Sequence, residues 1–218
     1  MKKAFTMIEL VFVIVIVGIL SAMIAPNFQR NSVREAADQL ISHIRYTQHL
    51  AMMDDKFNPN DSKWFKGRWQ LHFYQNLGSD NQWSYTIFAD WKGTHSGNPD
   101  NGEIAINPLD PTKFLTGGTS GTALTQYGEA EATNELNIGH KYGITTVQFG
   151  GGCRSTVKYL NFDYLGRPSN SFPNSLSYEL PSSGYHKLLT SACNILLSDG
   201  TTNITIAIEP ETGYAHIL

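Results

Sequence analysis

Glu9 is the single carboxylate in an otherwise apolar run from Phe5 to Ala25. An ionised side chain in such surroundings costs on the order of 2 kcal/mol or more unless it meets a partner, so the chemistry Glu9 calls for is pairing with a cation. Asp90, Asn98, Asp100 and Glu103 gather oxygen ligands of the kind that hold calcium. Their spacing matches no EF-hand loop, and the same residue types also build ordinary turns. The seven histidines are scattered, with no HExxH pattern and no close His/Cys pairing. Ser120, in GGTSGT, lacks the glycine two positions later that a nucleophile elbow needs. Gly150-Gly151-Gly152 opens no recognisable helix and reads as a turn before Cys153 rather than a phosphate cradle. These residues do not read as an enzyme, and no cofactor is expected beyond the calcium candidate.

The element that must position Glu9 is the apolar run itself. From Phe5 to Ala25 it counts 21 residues, which as a helix reaches roughly 30 Å, enough to cross a bilayer. A secretory signal peptide also has a basic start and an apolar core, but a carboxylate near the start of that core argues for a different use. Lys2 and Lys3 precede the run, so the positive-inside rule puts the N-terminus in the cytoplasm and the rest of the chain outside. In an oxidising compartment the only two cysteines, Cys153 and Cys193, are expected to form a disulfide. Closing a loop of that length stabilises by roughly 4 kcal/mol on the chain-entropy model.

Past Pro26 the pattern turns amphipathic. Val33, Ala36, Ala37, Leu40, Ile41, Ile44, Thr47, Gln48 and Ala51 recur at three- and four-residue steps, which predicts a helix lying against something. Joined to the apolar run it would extend from Phe5 to Met53, with a bend or local melting at Pro26. Asp54 to Asp61 stop it. The remainder is rich in Thr, Ser, Asn, Gly and aromatics, a strand-and-loop composition. Period-two patterns predict a hairpin of Arg68–Gln75 and Trp83–Trp91, with alternate aromatics packed on the helix and core packing the favoured reading of the remainder, an exposed contact patch being the alternative. Further strands are expected at Glu103–Asn107, Ile144–Phe149, Thr156–Asp163, Leu176–Leu180 and Asn194–Leu197, with a closing hairpin of Asn203–Glu209 and Gly213–Leu218. Leu109–Leu136, with its glycines and threonines, reads as a loop or disordered excursion. The formal net charge is −3, so the chain lacks the basic footprint of a non-specific nucleic-acid binder.

The stretch Ala4-Phe5-Thr6-Met7-Ile8-Glu9-Leu10 resembles the processing signal of type IV pilins and type II secretion pseudopilins. The resemblance implies that prepilin peptidase cuts between Ala4 and Phe5 and methylates the new N-terminus at Phe5. Glu9 then stands fifth in the mature chain, and Gly18 and Pro26 fall where many pilins carry helix-weakening residues. Ala4 departs from the glycine usual before the cut. LNFDYLGRPSN at Leu160–Asn170 and the ending ITIAIEPETGYAHIL resemble the minor-pseudopilin branch called GspH/FimT. The implied architecture is α+β: a leader at 1–4, a transmembrane and assembly helix at 5–25, an amphipathic continuation at 26–53, and a mostly antiparallel β head at 54–218 packed on that continuation. The implied function is structural, as a minor subunit of a type II secretion pseudopilus or type IV pilus. Its partners would be other pilin subunits, prepilin peptidase, the inner-membrane assembly platform and membrane lipid. It would be a single-pass inner-membrane protein with a periplasmic head, later drawn into the fibre. A pilus-tip module that binds DNA or an adhesion target is the rival reading.

Overall fold

The computed structural model describes residues 6–24, 31–54, 56–61, 64–92, 97–100, 102–120, 125–156, 158–170 and 188–218. The chain forms two compact units, Met1–Asn31 and Ser32–Leu218. The first contains helix α1, Met7–Ile24, whose described side chains from Met7 to Ser21 are all exposed. Among the described residues, no helix is long and apolar enough to cross a membrane. At 1.5 Å per residue α1 rises about 27 Å, against about 30 Å of hydrocarbon; Phe5, Ala25 and Pro26, which belong to the predicted span and its bend, lie outside the described residues.

The second unit opens on α2, Ser32–Met53. An unbroken helix from Phe5 to Met53 is not what forms, because Asn31 is non-helical. Asn31 stands directly before Ser32, at an Asn-Ser pair of the kind that starts helices. The predicted face is the buried one: Val33, Ala36, Ala37, Leu40, Ile41, Ile44, Thr47 and Ala51. Each large aliphatic among them contributes about 1.5–3 kcal/mol by leaving water.

The strands of the head are β1 (Trp69–Tyr74), β2 (Ser84–Ala89), β3 (Ile106–Asn107), β4 (Asp110–Phe114), β5 (Thr146–Gly151), β6 (Tyr159–Phe162), β7 (Pro168–Ser169), β8 (Cys193–Ser198), β9 (Asn203–Ile208) and β10 (Ala215–Ile217), with a short helix α3 (Ile138–Tyr142) before β5. They make two four-stranded sheets, ordered β2-β1-β6-β7 and β10-β9-β8-β5, and a separate β3-β4 ribbon. Among the described residues these strands pair antiparallel, and α2 packs across both sheets, against β1 and β6 on one and β8, β9 and β10 on the other. This is the α+β, pilin-like architecture expected. The expected strand Leu176–Leu180 lies outside the described residues.

One alternative is set aside and one expectation is corrected. The β1-β2 hairpin pairs from Trp69↔Ala89 to Tyr74↔Ser84, but it is buried on both faces: Leu71, Phe73, Tyr85 and Ile87 face the core, while Gln70, His72, Thr86 and Phe88 on the other face are buried too. No broad aromatic patch is left there, because the His72 ring stacks on Tyr159 with centroids 3.6 Å apart and the far edge of β2 is covered. The cover is the correction. Leu109–Leu136 is not loose: Ile87 N donates to Leu115 O at 3.0 Å, Gly117 N donates to Tyr85 O at 3.1 Å, and Leu115, Ala132 and Leu136 are fully buried. Its glycines serve close approach. A Cβ on Gly117 would sit 2.3 Å from the Leu136 carbonyl carbon, and Gly118, at φ +103, lies equally close to Gly78 O. Residues 121–124 of this stretch lie outside the described residues.

Cys153 and Cys193 form the expected disulfide, 40 residues apart, at the end of the β5-β8 pairing. Replacing both by serine is expected to lower the stability of the head by roughly 4 kcal/mol. Urea unfolding of the full chain in detergent, with tryptophan fluorescence as readout, measures it. An unchanged midpoint would rule the effect out.

Candidate functional site

The start of α1 is organised by a reciprocal cap. Thr6 N donates to Glu9 Oε2 at 2.9 Å, the Thr6 hydroxyl donates to the same oxygen at 2.8 Å, and Glu9 N donates back to Thr6 Oγ1 at 3.4 Å. This is a capping box of the T-x-x-E type, which satisfies otherwise orphaned donors at the first turn. It holds the carboxylate at the positive end of the helix dipole. The Thr6-Met7-Ile8-Glu9 spacing is legible in the sequence, yet the reading of Glu9 as an isolated charge passes over Thr6 as its hydrogen-bond partner.

Around this polar cap the surface is apolar. Met7, Ile8 and Phe12 are 87%, 77% and 68% exposed, and a hollow of about 460 Å³ lies against Ile8, Glu9, Phe12 and Val13. An exposed apolar helix with one carboxylate at its head can bury its sides against lipid or similar helices and accept a cation at one point. Gly18, halfway along, faces open space: nothing lies within 4 Å of where its Cβ would be. Its effect within the chain is to weaken the helix by about 1 kcal/mol relative to alanine. Residues 1–25 match the family model described as the prokaryotic N-terminal methylation motif.

That motif supports the type IV pilin and pseudopilin family, and with it processing by prepilin peptidase and assembly with other pilin subunits. It contains Ala4 and Phe5, which lie outside the described residues, and Glu9 and Gly18, which do not. No curated protein and no solved structure matches the chain.

The turns that carried the branch resemblance are brought together by α2. Gln48 Nε2 donates to Gly166 O at 2.8 Å, in the GRP turn, and to Thr212 O at 2.7 Å, in the closing TG turn. Within the first, the buried Asp163 accepts from Leu165 N, Arg167 N and Arg167 Nε. Gly213, at φ +64, leaves room for the Gln48 amide, which would stand 2.6 Å from a Cβ there. Gln48 is thus a clamp rather than a member of the apolar stripe.

The calcium candidates do not converge. Asp90 Oδ2 accepts from Gly97 N at 2.5 Å, and Glu103 accepts from Lys92 N through Oε1 and from Asp100 N through Oε2, both at 2.6 Å. Asn98 and Asp100 are exposed. Among the described residues no group of three His, Cys, Asp or Glu side chains could hold a metal ion. Burial pushes the Glu103 carboxyl above its usual range, against the pull of the Lys92 and Asp100 amides. The acids here brace a loop.

Proposed function

We propose that this chain is a minor structural subunit of a type II secretion pseudopilus or type IV pilus, of the GspH/FimT-like branch. Prepilin peptidase removes Met1–Ala4 and methylates Phe5. The segment from Phe5 to Ala25 holds the protein in the inner membrane, N-terminus in the cytoplasm and head in the periplasm, until the assembly platform draws it into the fibre. Glu9 of one subunit then neutralises the Phe5 amine of its neighbour, while Gly18 and Pro26 let the helix yield as subunits pack. The observation that carries this reading is the methylation motif on an exposed apolar helix whose one carboxylate sits at its head.

The test is the mature N-terminus. Protein purified from membranes containing prepilin peptidase should begin at N-methylated Phe5 by mass spectrometry, and should begin at Met1 when the peptidase is absent. A chain that still begins at Met1 in the presence of an active peptidase would overturn the proposal.

A further inference from the structure

Gln39, His43, Tyr85 and Tyr142 form one chain of hydrogen bonds that ties α2 to β2 and to the end of α3. Tyr142 OH donates to Gln39 Oε1 at 2.7 Å, Gln39 Nε2 lies 2.8 Å from the Tyr85 hydroxyl and 2.9 Å from Glu135 O, and the Tyr85 hydroxyl lies 2.6 Å from His43 Nδ1. The direction of the chain follows from its parts. Glu135 O can only accept, so the end of the Gln39 amide that faces both it and Tyr85 is the NH2 group. Tyr85 therefore receives from Gln39 and has one proton of its own to place. Its side chain is fully buried, and the contact that takes this proton is His43 Nδ1. Every bond thus points towards His43, whose ring is neutral with Nδ1 as the acceptor.

A proton on Nδ1 reverses the last bond. Nδ1 becomes a donor to the Tyr85 oxygen, and the Tyr85 proton needs another acceptor, which Gln39 supplies by turning its amide over to present Oε1. The turned amide donates to Tyr142, which is half-buried and can direct its own proton to water. For Glu135 O it has nothing, because two acceptors then face each other and the contact is lost. We infer that this chain is a proton-operated latch: with His43 neutral it holds the single turn Asn134–Leu136 on α2, and a proton taken up at Nδ1 reverses it and releases that turn. Leu136 and Ile138 are fully buried and keep the rest of the segment seated, so the change is local.

Titratable and charged groups reach the latch from each element packed there. On α2 they are Glu35, one turn before Gln39, and Tyr46, one turn after His43. Tyr85 comes from β2, Glu135 with its exposed side chain from the turn, and Tyr142 from α3, whose His140 and Lys141 are exposed. Burial of the imidazole opposes the proton and pulls its pKa down to about 4. Release lets that pKa climb towards the ordinary value of about 6.5, so the released fraction grows as pH falls from about 6.5 to about 4.

Amide hydrogen exchange of the full chain in detergent micelles, corrected for the intrinsic pH dependence of exchange, tests this at Leu136 and Asn137. Their N–H groups close the turn onto Thr133 O and Asn134 O at 2.9 and 3.1 Å. Protection of both should fall roughly five- to twentyfold between pH 7 and pH 5, the upper figure being the limit for a histidine whose pKa rises fully on release. His43→Asn keeps a side-chain acceptor and cannot take the proton, so its turn should be equally protected at the two pH values. Tyr85→Phe cuts the chain while the His43 ring still titrates by NMR, and it too should lose the response; His72→Phe should retain it. Equal wild-type protection at both pH values, a turn that merely follows the amides of the β5-β8 ladder, or a wild-type response in His43→Asn or Tyr85→Phe would each overturn the inference.

Discussion

Glu9→Val is expected to leave the protein cut at Ala4–Phe5 and membrane-inserted, yet to reduce its incorporation into a fibre by roughly a hundredfold. On the proposed pairing with a neighbour's Phe5 amine, the variant leaves one member of a desolvated ion pair without its partner, a loss of about 3–5 kcal/mol, of which a hundredfold is the low end. Two effects are mixed in that variant, because Glu9 both caps α1 through Thr6 and carries the charge. Thr6→Ala separates them. It removes the hydroxyl from the cap, worth about 1 kcal/mol, and keeps the carboxylate, so incorporation should fall only a few-fold. Site-specific crosslinking to the major subunit, normalised to the membrane-inserted pool, measures both. Equal incorporation of Glu9→Val and wild type would remove Glu9 from the assembly mechanism.

The difference between what the sequence disclosed and what it hid follows from the range of the interactions involved. The buried stripe of α2 is a local periodicity, and it is legible because one helix face meets one core. The pairing of β1 with β2 is legible for the same reason, through alternation and a turn-forming Asn76–Gln82 link. Long-range contacts defeat such reading. Nothing local to Gly117 and Gly118 announces that Leu136 and Gly78 come within van der Waals reach, so glycines needed for close approach read as looseness. Gln70 and His72 are polar residues on a strand face that local alternation assigns to solvent, and the structure buries them. α3, at five residues, is too short to display a period. At the candidate site the situation is reversed: Ala4, Phe5 and Glu9 were found by motif, while the Thr6–Glu9 cap, equally local, needed only the question of how the helix begins.

The buried histidines make the stability of the head depend on acidity, and this is the second large effect. His43, on α2 and half-buried, has Nδ1 2.6 Å from the Tyr85 hydroxyl, which also receives Gln39 Nε2 at 2.8 Å. Burial pulls the pKa of His43 down to about 4 and that of His72 to about 3. Both are neutral in the fold, whereas in the unfolded chain they take up protons near pH 6.5. The stabilisation they allow is therefore complete above about pH 6.5 and is lost progressively as pH falls, to about 4 for His43 and about 3 for His72. Each shift corresponds to on the order of 3–5 kcal/mol when fully expressed. Glu103 acts in the opposite sense: its raised pKa favours the fold as pH falls towards the ordinary carboxylate range, which blunts the low end of the curve. Urea midpoints of the full chain in detergent should thus drop steeply between pH 6.5 and 4.5, with close to two protons taken up on unfolding. His72→Phe keeps a ring to stack on Tyr159 and removes a buried Nδ1 that has no hydrogen-bond partner among the described residues. That variant should lose about half of the proton uptake and hold its midpoint at lower pH. A pH slope identical to that of the wild type would show that the acid sensitivity of the head does not arise at His72.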